Sequence, residues 1–180
     1  MHLYERTLDC EIIHKGKIIN VTRDTVELEN GKTALREVVH HSGGVCVLPL
    51  TDENDVIFVR QFRYPFNDVL LEIPAGKLNE GEDPFECGKR ELKEETGAVA
   101  AEYIFLGVMY PTTAYLTEKI HIYLAKGLDF SEQWLDEDEF LDVVRIPFER
   151  AVEMVLNNEI PDAKTQIAIL KARLILMSAE

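Results

Sequence analysis

The chain has 180 residues, 46% of them apolar and 29% charged, with a formal charge of −14. This suits one soluble domain with a real core and a small appended element, and the acidic excess excludes the clustered Lys and Arg that a duplex nucleic acid partner requires. Cys10, Cys46 and Cys87 are odd in number and show no CxxC spacing, which argues against a zinc site or disulfide framework and for a reducing cytoplasm, while the absence of an apolar leader or of 18 successive apolar residues argues against export and membrane spanning.

Residues 1 to about 40 read as strands, with no competing helical period. Asn30-Gly31, between VELE and KTALREVVHH, is a two-residue hairpin signal, and Val26 and Leu28 alternate before it. Two apolar runs follow, Gly43 to Leu50 and Val56 to Arg63, separated by the turn Asp52-Glu53-Asn54-Asp55; both are expected to be core strands. Arg60 and Arg63 stand three apart on the second strand and so point to opposite faces, which predicts unequal roles.

The stretch from Ala75 to Ala98, AGKLNEGEDPFECGKRELKEETGA, is a loop followed by a helix. Asp83 can cap a helix starting at Pro84, Glu86 can complete a capping box, and Gly97 can end it in the left-handed conformation, which predicts Pro84 to Thr96. On a helical wheel Phe85, Gly88 and Leu92 share one side, while Glu91, Glu94 and Glu95 crowd another. The carboxylates at i,i+4 repel, and those in the last turn oppose the helix dipole. A divalent cation would reverse that penalty, since Mg2+ takes oxygen ligands and binds few carboxylates together with substrate phosphates. A solvated face laced by Lys89, Arg90 and Lys93 would account for the same charges.

The spacing is more specific. Gly76, five residues, Glu82, seven residues, Arg90-Glu91-Leu92, one residue, Glu94-Glu95, one residue and Gly97-Ala98 resembles the Nudix box at every fixed position. The VRQFRYP segment with LLEIPAGKL resembles the ADP-ribose pyrophosphatase branch of that superfamily. The resemblance implies an α/β/α sandwich around a mixed β-sheet, with an N-terminal antiparallel β element (1–40) used for homodimerisation and a hydrolase domain at 41–180. It further implies Mg2+-dependent hydrolysis, with Mn2+ as a substitute, of the pyrophosphate bond of a nucleoside diphosphate sugar. ADP-ribose is the expected substrate, giving AMP and ribose 5-phosphate, and GDP-mannose is the neighbouring alternative. By the same resemblance Glu91, Glu95, Glu94 and the Ala75 carbonyl hold metal, Arg90 orients a box carboxylate, and Glu82 is an auxiliary ligand or turn-orienting group. Arg63 contacts substrate, and Arg36 and Glu37 are adenine-side candidates; a cross-strand surface pattern would equally explain the last two.

Beyond the box, Tyr103 to Met109 and Lys119 to Ala125 are expected strands. The family's Ser-Pro-Gly element falls on Thr112-Thr113-Ala114, a departure bearing on the choice of sugar. Glu118 matches a glutamate that contacts a substrate hydroxyl, or is a solvated carboxylate at a strand start. In the acidic run Asp136-Glu137-Asp138-Glu139 the resemblance makes Glu137 the general base and Glu139 a further metal ligand, and a shifted match would exchange them. Pro147 to Leu156 and Ala163 to Met177 read as amphipathic helices; Phe148, Ala151, Val152 and Val155 form one stripe, Ile167, Leu170 and Leu174 the other, and Asp162 caps the second. A non-catalytic ADP-ribose-sensing relative would tend to lose box carboxylates and carry a DNA-binding segment. Here every box glutamate is kept and no basic helix-turn-helix is present.

Overall fold

A computed structural model describes residues 2–135 and 139–178. The described strands are β1 (Arg6–Lys15), β2 (Asn20–Glu27), β3 (Thr33–His40), β4 (Gly44–Pro49), β5 (Asp55–Arg63), β6 (Asp68–Glu72), β7 (Ala75–Lys77), β8 (Ala98–Met109), β9 (Ile120–Phe130) and β10 (Leu141–Pro147). The helices are α1 (Pro84–Thr96), α2 (Phe148–Leu156) and α3 (Ala163–Met177). The chain divides into two compact units: the first runs to Gly43 and adds Tyr110–Lys119, and the second takes Gly44–Met109 and the chain from Ile120 onward.

In the first unit β1, β2 and β3 form an antiparallel meander. The Asn30-Gly31 turn is present, with Gly31 at φ 77°, but the strands end earlier than a two-residue hairpin would allow, at Glu27 and Thr33. The connection is closed by Leu28 N–H donating to the Lys32 carbonyl at 2.8 Å. Backbone bonds also tie the 110–119 loop to β3: Val39 N–H donates to Tyr115 O at 2.7 Å and Thr117 N–H to Val39 O at 3.0 Å. All ten residues of β1 are exposed.

The second unit is built on two sheets, ordered β10-β5-β6 and β7-β4-β9-β8. β4 and β9 run parallel, while the other pairs in this unit are antiparallel. Every residue of β4 is buried, because its two faces serve two cores. Cys46 and Leu48 join Phe58, Phe148, Ala151, Ile169 and Ala172, whereas Val47 packs with Leu92, Ala98 and Ala125. The period-2 alternation of the strand thus places α1 on one face of the sheet and α2 and α3 on the other, an α/β/α sandwich around a mixed sheet.

The two C-terminal helices fall where their periodicity places them, and α3 starts after Asp162, which accepts from Thr165 N–H at 3.0 Å. The buried stripe of α3 differs from the expected one. Thr165, Ala168, Ile169 and Ala172 face the core, while Leu170 and Leu174 are exposed. The helix is apolar on more than one side, and the side with the small Ala168 and Ala172 permits the closer approach to the sheet, so packing volume decides what hydrophobicity leaves open.

Candidate active site

Local signals set α1 as the sequence predicts. The Asp83 side chain accepts from Phe85 N–H at 2.9 Å and Glu86 N–H at 3.2 Å, and Gly97, at φ 71°, donates its N–H to Lys93 O at 2.8 Å. The reciprocal half of the capping box is replaced: the Glu86 carboxylate takes Lys89 at 3.0 Å. Gly88 lets the helix approach β4, since a Cβ there would lie 3.1 Å from Val45 and 3.3 Å from Val47.

That close approach changes what the glutamates are. The wheel groups Glu91, Glu94 and Glu95 on one polar arc, yet Glu91 and Glu95 are buried, at 8% and 3% exposure, and only Glu94 reaches solvent. Glu95 accepts the Ala75 N–H at 3.0 Å, and a Cβ on Gly76 would fall 1.9 Å from a Glu91 carboxylate oxygen. β7 therefore runs directly beneath both acids. Burial, reinforced by the charges of Glu94 and Glu139, pushes Glu91 up to about 7 despite Arg90. Burial, with Glu91 and Glu139 adding to it, pushes Glu95 up to about 8 against the Ala75 N–H and Arg63.

Arg90 gathers the surrounding carboxylates. It donates to Glu82 at 2.9 and 3.2 Å and to Glu94 at 2.7 Å, and lies 2.8 Å from Glu91. Glu82 also accepts Asn79 N–H at 2.9 Å, so the bonds from Arg90 hold it down to about 2 while it braces the turn. Its expected turn-orienting role matches this geometry.

A divalent cation fits the donor set: all oxygen, two buried carboxylates held up out of their ordinary range, and a glycine at 76 where any side chain would collide with Glu91. Among the described residues no three Asp, Glu, His or Cys side chains close a cage unaided. An ion here would be completed by main-chain, water or substrate oxygens, as Mg2+ favours.

Glu139, expected as a further ligand, lies near enough for its charge to raise both Glu91 and Glu95. It also lines a surface cavity of about 430 Å3 with Arg60, Phe62 and Phe140. Glu137, the expected base, lies outside the described residues. Residues 131–134 are tied to the end of α1 by a staple that sequence reading missed. Ser131 N–H donates to Gly97 O at 2.8 Å, Gln133 Nε2 to Glu95 O at 2.5 Å, and Trp134 N–H to Glu94 O at 3.0 Å, satisfying carbonyls at the end of α1. The polar Ser131 and Gln133 between Phe130 and Trp134 were its sequence signal.

Arg63 extends from β5 and donates through Nε and Nη2 to Glu72 at 2.7 and 2.8 Å, close enough to Glu95 for the two charges to act on one another. Glu72 was not foreseen as part of the site. Arg60 is exposed on the opposite face. The remaining candidates belong to the first unit. Arg36 is ion-paired with Glu5, Glu37 lies 3.6 Å from Arg23, and Glu118 lies 3.3 Å from His41 Nδ1. The cross-strand pairs Arg23/Glu37 and Asp24/Arg36 also fit a surface charge pattern.

Comparison with known proteins assigns the family. The chain belongs to the NUDIX domain family, whose model matches residues 40–168, and residues 5–39 match the nucleoside diphosphate sugar hydrolase N-terminal domain. Among relatives, it is 43% identical to an ADP-ribose pyrophosphatase of Bacillus subtilis (strain 168), over 93% of this chain and 91% of that one. It is 41% identical to a methanol dehydrogenase activator of Bacillus methanolicus, over 92% and 90%. The fold matches a solved structure described as an ADP compounds hydrolase, with a TM-score of 0.88 at 23% identity, covering 99% of this chain and 97% of the other.

Proposed function

We propose that the protein hydrolyses the pyrophosphate bond of a nucleoside diphosphate sugar in the presence of Mg2+, with ADP-ribose as substrate and AMP and ribose 5-phosphate as products. The observation that carries this is the buried pair Glu91 and Glu95, pushed up to about 7 and 8 against the Gly76 backbone in a complete box. Such a pair is costly in an isolated protein and suited to holding a cation. The similarity to an ADP-ribose pyrophosphatase along nearly the whole of both chains supports the choice of sugar.

Glu91, Glu95, Glu94, Glu139 and the Ala75 carbonyl are the groups that would hold metal. A bound divalent ion supplies neutralisation of the diphosphate and a lowered pKa for an attacking water. Glu137 takes the proton from the water as it attacks phosphorus. Arg63 steadies the diphosphate, Glu118 accepts a sugar hydroxyl, Arg36 and Glu37 meet the adenine side, and Arg90 keeps the box carboxylates in their rotamers.

The proposal extends to a homodimer through the N-terminal element. β1 is the outer strand of its sheet, and Leu8, Ile12 and Ile13 on it are exposed, an edge that soluble proteins ordinarily cover. A reducing, cytoplasmic setting agrees with three free cysteines, and no described helix is long and apolar enough to cross a membrane.

The deciding experiment incubates the protein with ADP-ribose, GDP-mannose, NADH and dinucleoside polyphosphates in Mg2+ and separates the products by chromatography. Release of AMP from ADP-ribose in preference to the others is expected. Preference for GDP-mannose would move the assignment to the alternative sugar, and negligible turnover of all four would reject the enzymatic reading.

A further inference from the structure

Glu72 is almost fully buried, carries its charge, and touches no box carboxylate; its partners account for it. Arg63 donates to both of its oxygens, and Lys164 Nζ donates to Oε2. Burial alone would push this acid up, yet the bonds from Arg63 and Lys164 hold it down to about 2. Lys164 in turn donates to Asp162 Oδ1 at 2.9 Å, and Asp162 Oδ2 accepts from Thr165 N–H at 3.0 Å and from Thr165 Oγ1 at 2.5 Å. The Thr165 hydroxyl oxygen accepts the Ile73 N–H at 3.0 Å. The first turn of α3 therefore grips both the side chain of Glu72 and the backbone beside it, two residues before the Ala75 N–H reaches Glu95.

The register explains how the clamp reaches Arg63. Val59, Gln61 and Arg63 of β5 stand opposite Glu72, Leu70 and Asp68 of β6, so Arg63 and Glu72 share one face of the pair. The fork fixes the guanidinium plane and, among the described residues, leaves Nη1 without a partner. The two N–H of Nη1 and the second N–H of Nη2 are available to an anionic substrate.

We propose that Glu72, locked by Lys164 and the Asp162 cap of α3, is a positioning residue that presents Arg63 to the diphosphate. The inference rests on the reading of Arg63 as a diphosphate contact. The cluster is a clamp built from residues 63, 72 and 164, and its purpose is orientation of one guanidinium. A lysine at position 63 could not reproduce it, because a point charge has no plane to be held.

The test combines a spectroscopic arm with a mutant cycle on the full chain. In 15N-labelled protein without substrate, the Arg63 Nε–H resonance, assigned by its loss in Arg63→Ala, should be shifted and slow to exchange. It should lose both properties in Glu72→Gln, and in Lys164→Met, where Glu72 has lost its lock, it should exchange faster than in wild type. In turnover of ADP-ribose, Arg63→Ala and Glu72→Gln should each lower kcat/KM by roughly 10²-fold, and the double variant should be no worse than Arg63→Ala alone. Glu72→Asp keeps the charge beside Lys164 while withdrawing it from Arg63, so it should fold with a melting temperature near wild type and still show the defect, even if Glu72→Gln does not fold. A resonance unchanged in both Glu72 variants, full activity of Arg63→Ala, or defects that multiply in the double variant would overturn the proposal. Failure of the wild type to hydrolyse any nucleoside diphosphate sugar would instead reject the substrate reading, and the resonance arm would still judge the clamp.

Discussion

Gly76 and Glu91 occupy one another's space: the Cβ that any other residue would place at position 76 would lie 1.9 Å from an oxygen of the Glu91 carboxylate and 1.9 Å from its carbon. Gly76→Ala must displace the acid or push β7 away from α1. The expected result is a destabilisation of about 1–3 kcal/mol, typical of overpacking, together with a loss of Mg2+ affinity. Calorimetric titration of Mg2+ into the variant checks it. Gly81→Ala is the control, since it meets nothing within 4 Å, although its φ of 75° carries some backbone cost.

Glu95→Gln keeps an acceptor for the Ala75 N–H and removes a buried charge. Turnover should fall by more than the ~10–100-fold typical of losing a group that only orients a ligand. In EDTA at pH 8 the variant should melt at a higher temperature than wild type, because the metal-free protein no longer has to bury a carboxylate there. Equal activity of variant and wild type would remove Glu95 from the metal site.

Stability of the metal-free protein should depend on pH in two opposed ways. Glu91 and Glu95 are raised to about 7 and 8, so their contribution is complete below their unfolded value and is lost as pH rises through the range from about 5 to 8. Glu72 is lowered to about 2, so its contribution is complete above its unfolded value and is lost as pH falls toward 2. The melting temperature in EDTA should therefore peak near pH 5, and saturating Mg2+ should raise the alkaline limb most. Scanning calorimetry across pH 3 to 9, with and without Mg2+, reads both limbs.

The acidic run should divide by role. Glu137→Gln should slow the chemical step by roughly 10²–10⁴-fold, the usual worth of a general base, with little change in metal affinity. Glu139→Gln should weaken metal binding and, by removing a like charge, let Glu91 and Glu95 titrate lower. Single-turnover kinetics alongside Mn2+ titration separates them, and the reverse pattern would exchange the two assignments.

Much of this architecture is written locally. The bounds of α1 follow residue for residue from Asp83, Pro84 and Gly97, because caps and left-handed turns depend on a few neighbours. What the wheel could not tell is that Glu91 and Glu95 turn inward, since that depends on Gly88 drawing the helix onto Val45 and Val47 of another strand. The α3 stripe was misread for a related reason: Ala168 and Ala172 are chosen by fit against the sheet, and leucines elsewhere are left outside. Glu72 and Lys164 were invisible because their partnership spans 92 residues of sequence and has no period.

The staple from Ser131 to Trp134 addresses only main-chain carbonyls of α1, those of Glu94, Glu95 and Gly97. Exchange of the Glu94 or Glu95 side chain accordingly leaves these bonds in place, whereas any side chain at Gly97 would fall 2.2 Å from the Ser131 carbonyl oxygen. Amide-for-acid swaps at 94 and 95 therefore alter charge and the bonds to Arg90 and Ala75 while the anchorage of residues 131–134 on the helix end persists.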